Sequence, residues 1–101
     1  MDLAEAHTYA LSYLFKSDPL ILNLNIGTGF GTSVLDLIRK FEEVNKCNIP
    51  YVFCKRREGD VPVLVAKNQK AISILNWQPI RNLEDMCLDG WRWQKNNTFG
   101  F

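Results

Sequence analysis

Apolar residues recur at spacings of three and four in several parts of the chain, which is the pattern of a helix with one buried face. The first such stretch predicts a helix over residues 3–16, capped by Asp2. The second predicts a helix over residues 34–45, because Ser33 and Asp36 stand at the spacing of a capping pair. Each helix is expected to pack its apolar stripe on a shared core.

The remaining pattern adds two helices and up to three strands. A short helix is predicted over residues 68–75, and a last helix opens at Asn82. Residues 22–26 alternate apolar and polar side chains, and residues 51–54 and 61–66 are rich in strand formers. The pattern therefore predicts a small α/β or α+β unit, with about four helices on two or three short strands.

Composition narrows the class of protein. The 101 residues suit one domain over 1–101, and 47% hydrophobic with 23% charged residues is typical of a globular protein. No stretch resembles a signal peptide or a membrane span, which predicts a cytoplasmic protein without membrane contact. A net charge of +1 argues against nucleic-acid binding. Three cysteines without a Cys-x-x-Cys spacing predict free thiols rather than disulfides or a zinc site.

Three features suggest chemistry but are better explained by structure. The glycines of residues 27–31 follow a predicted strand, yet their spacing does not fit the dinucleotide-binding fingerprint, so a tight turn is expected. Tyr51 and Lys55 match the catalytic Tyr-x-x-x-Lys of short-chain dehydrogenases, but that pair needs a helix and this segment is predicted as a strand. His7 is the only histidine and is expected to serve a helix by packing or hydrogen bonding.

A different combination follows the second predicted strand, where Arg56, Arg57, Glu58, Gly59 and Asp60 are consecutive. A guanidinium presents a planar fork of donors that fits phosphate oxygens, and a carboxylate can accept hydrogen bonds from ribose hydroxyls. The segment can therefore read a nucleotide. A solvated turn with internal ion pairs is an equally good interpretation of these residues alone.

The order of short motifs along the whole chain resembles the UDP-glucose 4-epimerase family of extended short-chain dehydrogenases. The motifs are Met1-Asp2-Leu3-Ala4, Asn25-Ile26-Gly27-Thr28-Gly29, Ser33-Val34-Leu35-Asp36, Arg56-Arg57-Glu58-Gly59-Asp60, Lys70-Ala71, Leu75-Asn76-Trp77 and Asp89-Gly90-Trp91-Arg92-Trp93-Gln94. In this family a larger N-terminal Rossmann domain binds NAD and a smaller C-terminal domain binds the UDP-sugar. The resemblance covers only the second domain.

The resemblance implies a C-terminal, substrate-binding part of an enzyme that interconverts UDP-glucose and UDP-galactose through an NAD-dependent 4-keto intermediate. It implies that Arg57 grips the diphosphate, that Asp60 holds the ribose, that Arg56 is a weaker contact, and that Leu64 lines the sugar pocket. It places the catalytic residues and the NAD site upstream. The chain alone is then expected to bind no NAD, to lack activity and to bind UDP-sugar weakly.

Other interpretations of the resemblance stay open. The chain is also compatible with a part of another nucleotide-sugar epimerase or dehydratase, with a stand-alone UDP-sugar-binding module, and with an interaction domain that kept only the fold. Surface that faced the missing N-terminal domain would be exposed in the isolated chain, which predicts self-association.

Overall fold

The computed structural model describes residues 1–97, which form four helices: α1 (Asp2–Lys16), α2 (Val34–Asn45), α3 (Gln69–Leu75) and α4 (Leu83–Asn96). The chain divides into two compact units. One unit consists of residues 1–31 and 63–80, and the other of residues 32–62 with the chain from Arg81 onward. α1 packs on α3 in the first unit, and α2 packs on α4 in the second. All four predicted helices are present.

The predicted strands are not observed. No strand occurs among residues 1–97, so the α/β class is not confirmed. Residues 22–26 do alternate between half-buried apolar and exposed polar side chains, as the period-two pattern requires. Residues 51–54 and 61–66 are likewise not helical. A strand also needs a neighbour to complete its hydrogen bonds, and a hydrophobic pattern in one segment does not specify that neighbour.

The core of the first unit lies between α1, α3 and the segment that precedes the glycine-rich loop. Its buried centre consists of Ala6, Leu75 and Trp77, on which Leu24 and Ile26 pack, among others. The apolar side chains of residues 22–26 thus face the helices, and the side chains of Asn23 and Asn25 are exposed.

The start of α1 differs from the prediction. Met1 is the N-cap, and Asp2 is the first helical residue. The carboxylate of Asp2 accepts a hydrogen bond from the backbone N–H of Ile80 at 2.9 Å, so it ties the helix to the chain after α3. An acidic side chain in a first turn also interacts favourably with the positive end of the helix dipole.

In the second unit the sequence signals of both helices are confirmed. The Ser33 hydroxyl accepts a hydrogen bond from the backbone N–H of Asp36 at the start of α2. Asn82 and Asp85 form a complete capping box at the start of α4. Such caps satisfy backbone donors that the first turn leaves without partners.

Between α2 and α4 the contact is aromatic and polar. The rings of Phe41 and Trp91 meet edge to face, with centroids 5.7 Å apart and an interplanar angle of 78°. The side-chain N–H of Asn45 donates to the backbone carbonyl of Cys87 at 3.2 Å. The thiol of Cys87 is buried, and burial raises its pKa because it disfavours the thiolate.

Candidate functional site

The segment that leads to the candidate site is anchored at the end of α2. The helix stops at Lys46, whose backbone is left-handed (φ 51°, ψ 44°). Three residues later the backbone N–H of Ile49 donates to the Glu42 carboxylate at 2.7 Å. This bond fixes the direction in which the chain leaves the helix. Residues 50–60 then run along the surface, where all of them are exposed.

Residues 57–60 form a turn at the end of this exposed segment. The backbone N–H of Asp60 donates to the carbonyl of Arg57 at 3.3 Å. Gly59, the third residue of the turn, has φ +86°, which is the conformation that a type II turn requires at this place. A Cβ on Gly59 would meet no atom within 4 Å, so the backbone conformation rather than lack of space demands glycine here.

The turn brings together two of the residues expected to contact nucleotide. Arg57 Nε donates to Asp60 Oδ2 at 3.3 Å, with the two side chains 86% and 41% exposed. An ion pair this exposed stabilises the fold by at most about 1 kcal/mol. The bond uses one of the five donors that a guanidinium carries, so most of its fork is not used by this pair.

The other two predicted site residues, Arg56 and Leu64, lie outside this turn. Arg56 precedes the turn and is exposed. Leu64 is 88% exposed and belongs to the first unit, whereas the turn belongs to the second. Within its own unit Leu64 borders a cavity of about 370 Å³ whose other lining residues are Leu24, Asn25, Ile26, Val65 and Ala66. The structure therefore places an apolar side chain at the mouth of a cavity within that unit.

Asn68 is a supporting residue that the sequence pattern presented only as a helix start. Its side chain is buried, and its amide N–H donates to the carbonyl of Gly27 at 2.8 Å. Gly27 also approaches Ala66 so closely that an added Cβ would stand 2.8 Å from the Cβ of Ala66. These contacts join the glycine-rich loop to the segment that carries Leu64. They give the first glycine of the loop a packing role, whereas the expected tight turn after a strand is not seen in residues 27–31.

The remaining chemical candidates keep structural roles. Residues 51–55 are not helical, so Tyr51 and Lys55 are not stacked on consecutive helical turns as the dehydrogenase pair requires. The ring Nδ1 of His7 bonds to the carbonyl of Leu3 at 2.7 Å within α1, as expected for a helix residue. Within residues 1–97, no His, Cys, Asp and Glu side chains cluster as metal ligands, and no helix has the length and hydropathy of a membrane span.

Comparison with known proteins identifies what the chain resembles. No protein-family profile matches it. It is 43% identical to a UDP-glucose 4-epimerase of Bacillus subtilis over 101 residues, which is 100% of this chain and 30% of that enzyme. It is 41% identical to a UDP-glucose 4-epimerase of Cyamopsis tetragonoloba over 102 residues, or 29% of that enzyme. An Arabidopsis thaliana relative that is 40% identical is a bifunctional UDP-glucose and UDP-xylose 4-epimerase.

The fold agrees with these sequence relatives. The crystal structure of the Bifidobacterium longum UDP-glucose 4-epimerase, in complex with NAD⁺ and UDP, superimposes with a TM-score of 0.88 at 33% identity. The match covers 99% of this chain and 29% of that enzyme. The resemblance to UDP-glucose 4-epimerase is thus confirmed along the whole chain. The chain spans about 29% of the length of these relatives, which is consistent with a C-terminal part of such an enzyme.

Proposed function

We propose that this chain is the C-terminal, UDP-sugar-binding part of a cytoplasmic UDP-glucose 4-epimerase. The observation that carries the proposal is the similarity of the whole chain, in sequence and in fold, to one part of enzymes with that activity. The whole enzyme interconverts UDP-glucose and UDP-galactose with NAD as hydride carrier. The NAD-binding Rossmann domain and the catalytic residues belong to the rest of that enzyme, upstream of the segment that this chain matches.

Within the chain the proposed contacts to UDP come from the turn at residues 57–60. Arg57 is exposed, and its guanidinium has donors free of the ion pair for the diphosphate. Asp60 follows on the same turn and offers a carboxylate to the ribose hydroxyls. Arg56 is exposed beside them and adds positive charge. Leu64, at its own cavity, is proposed to line the sugar pocket, and no residue of this chain is proposed to be catalytic.

Calorimetric titration of UDP tests this site in a chimera in which the chain replaces the matching 30% of the Bacillus subtilis enzyme. Arg57→Ala should weaken UDP binding by roughly 1.5 to 3 kcal/mol, the range for hydrogen bonds to charged groups. Arg57→Lys should recover part of the loss, because an ammonium keeps the charge without the bidentate fork. Arg39→Ala is the matched control, since Arg39 is an exposed arginine on α2. Equal UDP affinities for all four proteins would show that Arg57 is a surface ion-pair residue only.

The isolated chain is proposed to bind UDP weakly, with a Kd of about 1 mM or worse, to bind no NAD and to show no epimerase activity. It is also proposed to self-associate, because several large apolar side chains are almost fully exposed, among them Phe15, Ile21 and Phe30. Turnover by the purified chain supplied with NAD and UDP-galactose would contradict the proposed lack of activity. A monodisperse monomer by light scattering at high concentration would contradict the proposed self-association.

A further inference from the structure

The glycine-rich loop, residues 27–31, has no room for side chains where it meets the chain before α3. A Cβ added to Gly27 would stand 2.8 Å from the Cβ of Ala66, and one added to Gly31 would stand 3.2 Å from Cγ2 of Val65. Carbon atoms in contact ordinarily lie about 3.5 to 4.0 Å apart. Glycine at these two positions therefore allows the two stretches of chain to pack this closely.

Asn68 fastens this contact at the start of α3. It is the N-cap of that helix, and asparagine is among the best N-cap residues, yet its side chain makes no capping hydrogen bond. The side-chain amide instead donates to the carbonyl of Gly27 at 2.8 Å, and a Cβ on Gly29 would stand 3.2 Å from the amide nitrogen. Asn68 is only 5% exposed. Its side chain thus serves the glycine-rich loop rather than its own helix.

The residue whose position depends on these contacts is Leu64, which directly precedes Val65. Leu64 is 88% exposed, so its own packing cannot fix its position. It borders the cavity of about 370 Å³ that Val65 and Ala66 also line. The place of Leu64 at this cavity is therefore set by the two residues that follow it, and through them by the glycine-rich loop and Asn68.

We propose that Asn68 is a positioning residue for the sugar pocket: it holds residues 64–66 on the glycine-rich loop and so fixes where Leu64 meets the sugar. The inference rests on the proposed function, in which Leu64 lines the sugar pocket and the turn at residues 57–60 binds UDP. Asn68 and the loop belong to the first unit, whereas that turn belongs to the second. Loosening the contact should therefore change how the sugar is held and not how UDP is bound.

Steady-state kinetics of the Bacillus subtilis chimera, supplied with NAD, test this role. Asn68→Ala should lower kcat/KM for UDP-galactose at least about tenfold, because an error of about 1 Å in the position of a substrate can cost up to about 100-fold. The inhibition constant of UDP should stay within about twofold of its value in the unaltered chimera, since the UDP contacts are independent. Asn82→Ala is the matched control: it removes an asparagine that caps α4 in the other unit, and it should change neither constant.

A trypsin digest of the chain itself tests, without any ligand, whether the segment is held. Lys67 is exposed and lies between Ala66 and Asn68. Asn68→Ala and Gly27→Ala should each speed cleavage after Lys67 at least about tenfold, because local opening exposes this peptide bond. Gly27→Ala leaves the residues around the bond unchanged. Cleavage after the exposed Arg56 is an internal reference that should not change.

Each outcome of these experiments decides the inference. Unchanged cleavage after Lys67 would overturn it, whatever the chimera shows. An unchanged kcat/KM, a loss of UDP binding in step with kcat/KM, or equal effects from Asn82→Ala would overturn it as well. An unaltered chimera that binds no UDP would refute the proposed function instead, and the digest would then decide alone whether Asn68 holds the segment.

Discussion

Replacement of Gly27 by alanine should destabilise the chain through a single close contact. The new Cβ would stand 2.8 Å from the Cβ of Ala66, whereas carbon atoms in contact ordinarily lie about 3.5 to 4.0 Å apart. Both atoms are attached directly to the backbone, so no rotamer change can relieve the overlap. The loop or the segment of Ala66 must move by roughly 1 Å, although the amide of Asn68 holds the carbonyl of Gly27 in place.

The magnitude follows from two opposing terms. Overpacking of this kind costs about 1 to 3 kcal/mol. Gly27 has no positive φ that would exclude alanine. Alanine restricts the conformations of the unfolded chain, which stabilises the folded state by about 0.4 to 1 kcal/mol and offsets part of this cost. We therefore expect Gly27→Ala to lower the free energy of unfolding by about 1 kcal/mol, within a range of about 0 to 2.6 kcal/mol. Urea unfolding followed by the helical circular dichroism signal measures it.

A double-mutant cycle isolates the contact. Ala66→Gly removes the opposing Cβ, so the Gly27→Ala, Ala66→Gly chain should be more stable than the sum of the single changes predicts by about 1 to 3 kcal/mol, the overpacking term. Gly90→Ala is the control: Gly90 lies inside α4, where a Cβ meets nothing within 4 Å, and alanine there should stabilise the chain by about 0.5 to 1 kcal/mol. Strict additivity of the two changes at 27 and 66 would refute the steric argument.

Four further outcomes are expected. Asn68→Asp should cost about 1 to 3 kcal/mol of unfolding free energy, because a carboxylate oxygen would face the Gly27 carbonyl in place of a donor. Asn82→Ala should cost about 0.5 to 2 kcal/mol through loss of the capping box, measured by the same unfolding assay. In thiol titration with an aromatic disulfide, the exposed Cys54 should react first and the buried Cys87 last. Because burial raises the pKa of Cys87 above its unfolded value, its contribution to stability should be complete below the ordinary thiol pKa and lost as pH rises through the folded one.

The sequence predicted the helices well where the signal is local. The pairing of Ser33 with Asp36 placed the start of α2, and Asn82 placed the start of α4, because a cap is formed by residues three positions apart. Asp2 shows the limit of such signals. Aspartate is a common N-cap residue, but the carboxylate of Asp2 accepts a hydrogen bond from the backbone of Ile80, which no local sequence pattern can indicate.

The predicted strands and the candidate site also separate features with a local sequence signal from features that depend on residues distant in sequence. Alternation correctly predicted which side of residues 22–26 faces the core, but it carries no information about a pairing partner, and no strand forms among residues 1–97. A turn with internal ion pairs near Arg57 and Asp60 was one of two interpretations that the sequence left open, and the structure has such a turn with Gly59 at positive φ. The buried role of Asn68 could not be predicted from the sequence, since it depends on a hydrogen bond to the carbonyl of Gly27 in the glycine-rich loop.

Under the proposed UDP contacts, the ion pair within the turn makes binding at the Nε–H of Arg57 an exchange. A phosphate oxygen that took the Nε–H of Arg57 would displace the carboxylate of Asp60, an internal competitor that stays tethered nearby at any dilution of the protein, whereas the other guanidinium donors are free of this pair. Since so exposed a pair is worth at most about 1 kcal/mol, the competition weakens binding by no more than about fivefold. The released carboxylate then needs a new donor. A molecule with both a diphosphate and ribose hydroxyls would supply one, whereas inorganic pyrophosphate would not, so we expect the turn to favour the nucleotide under the proposed contacts.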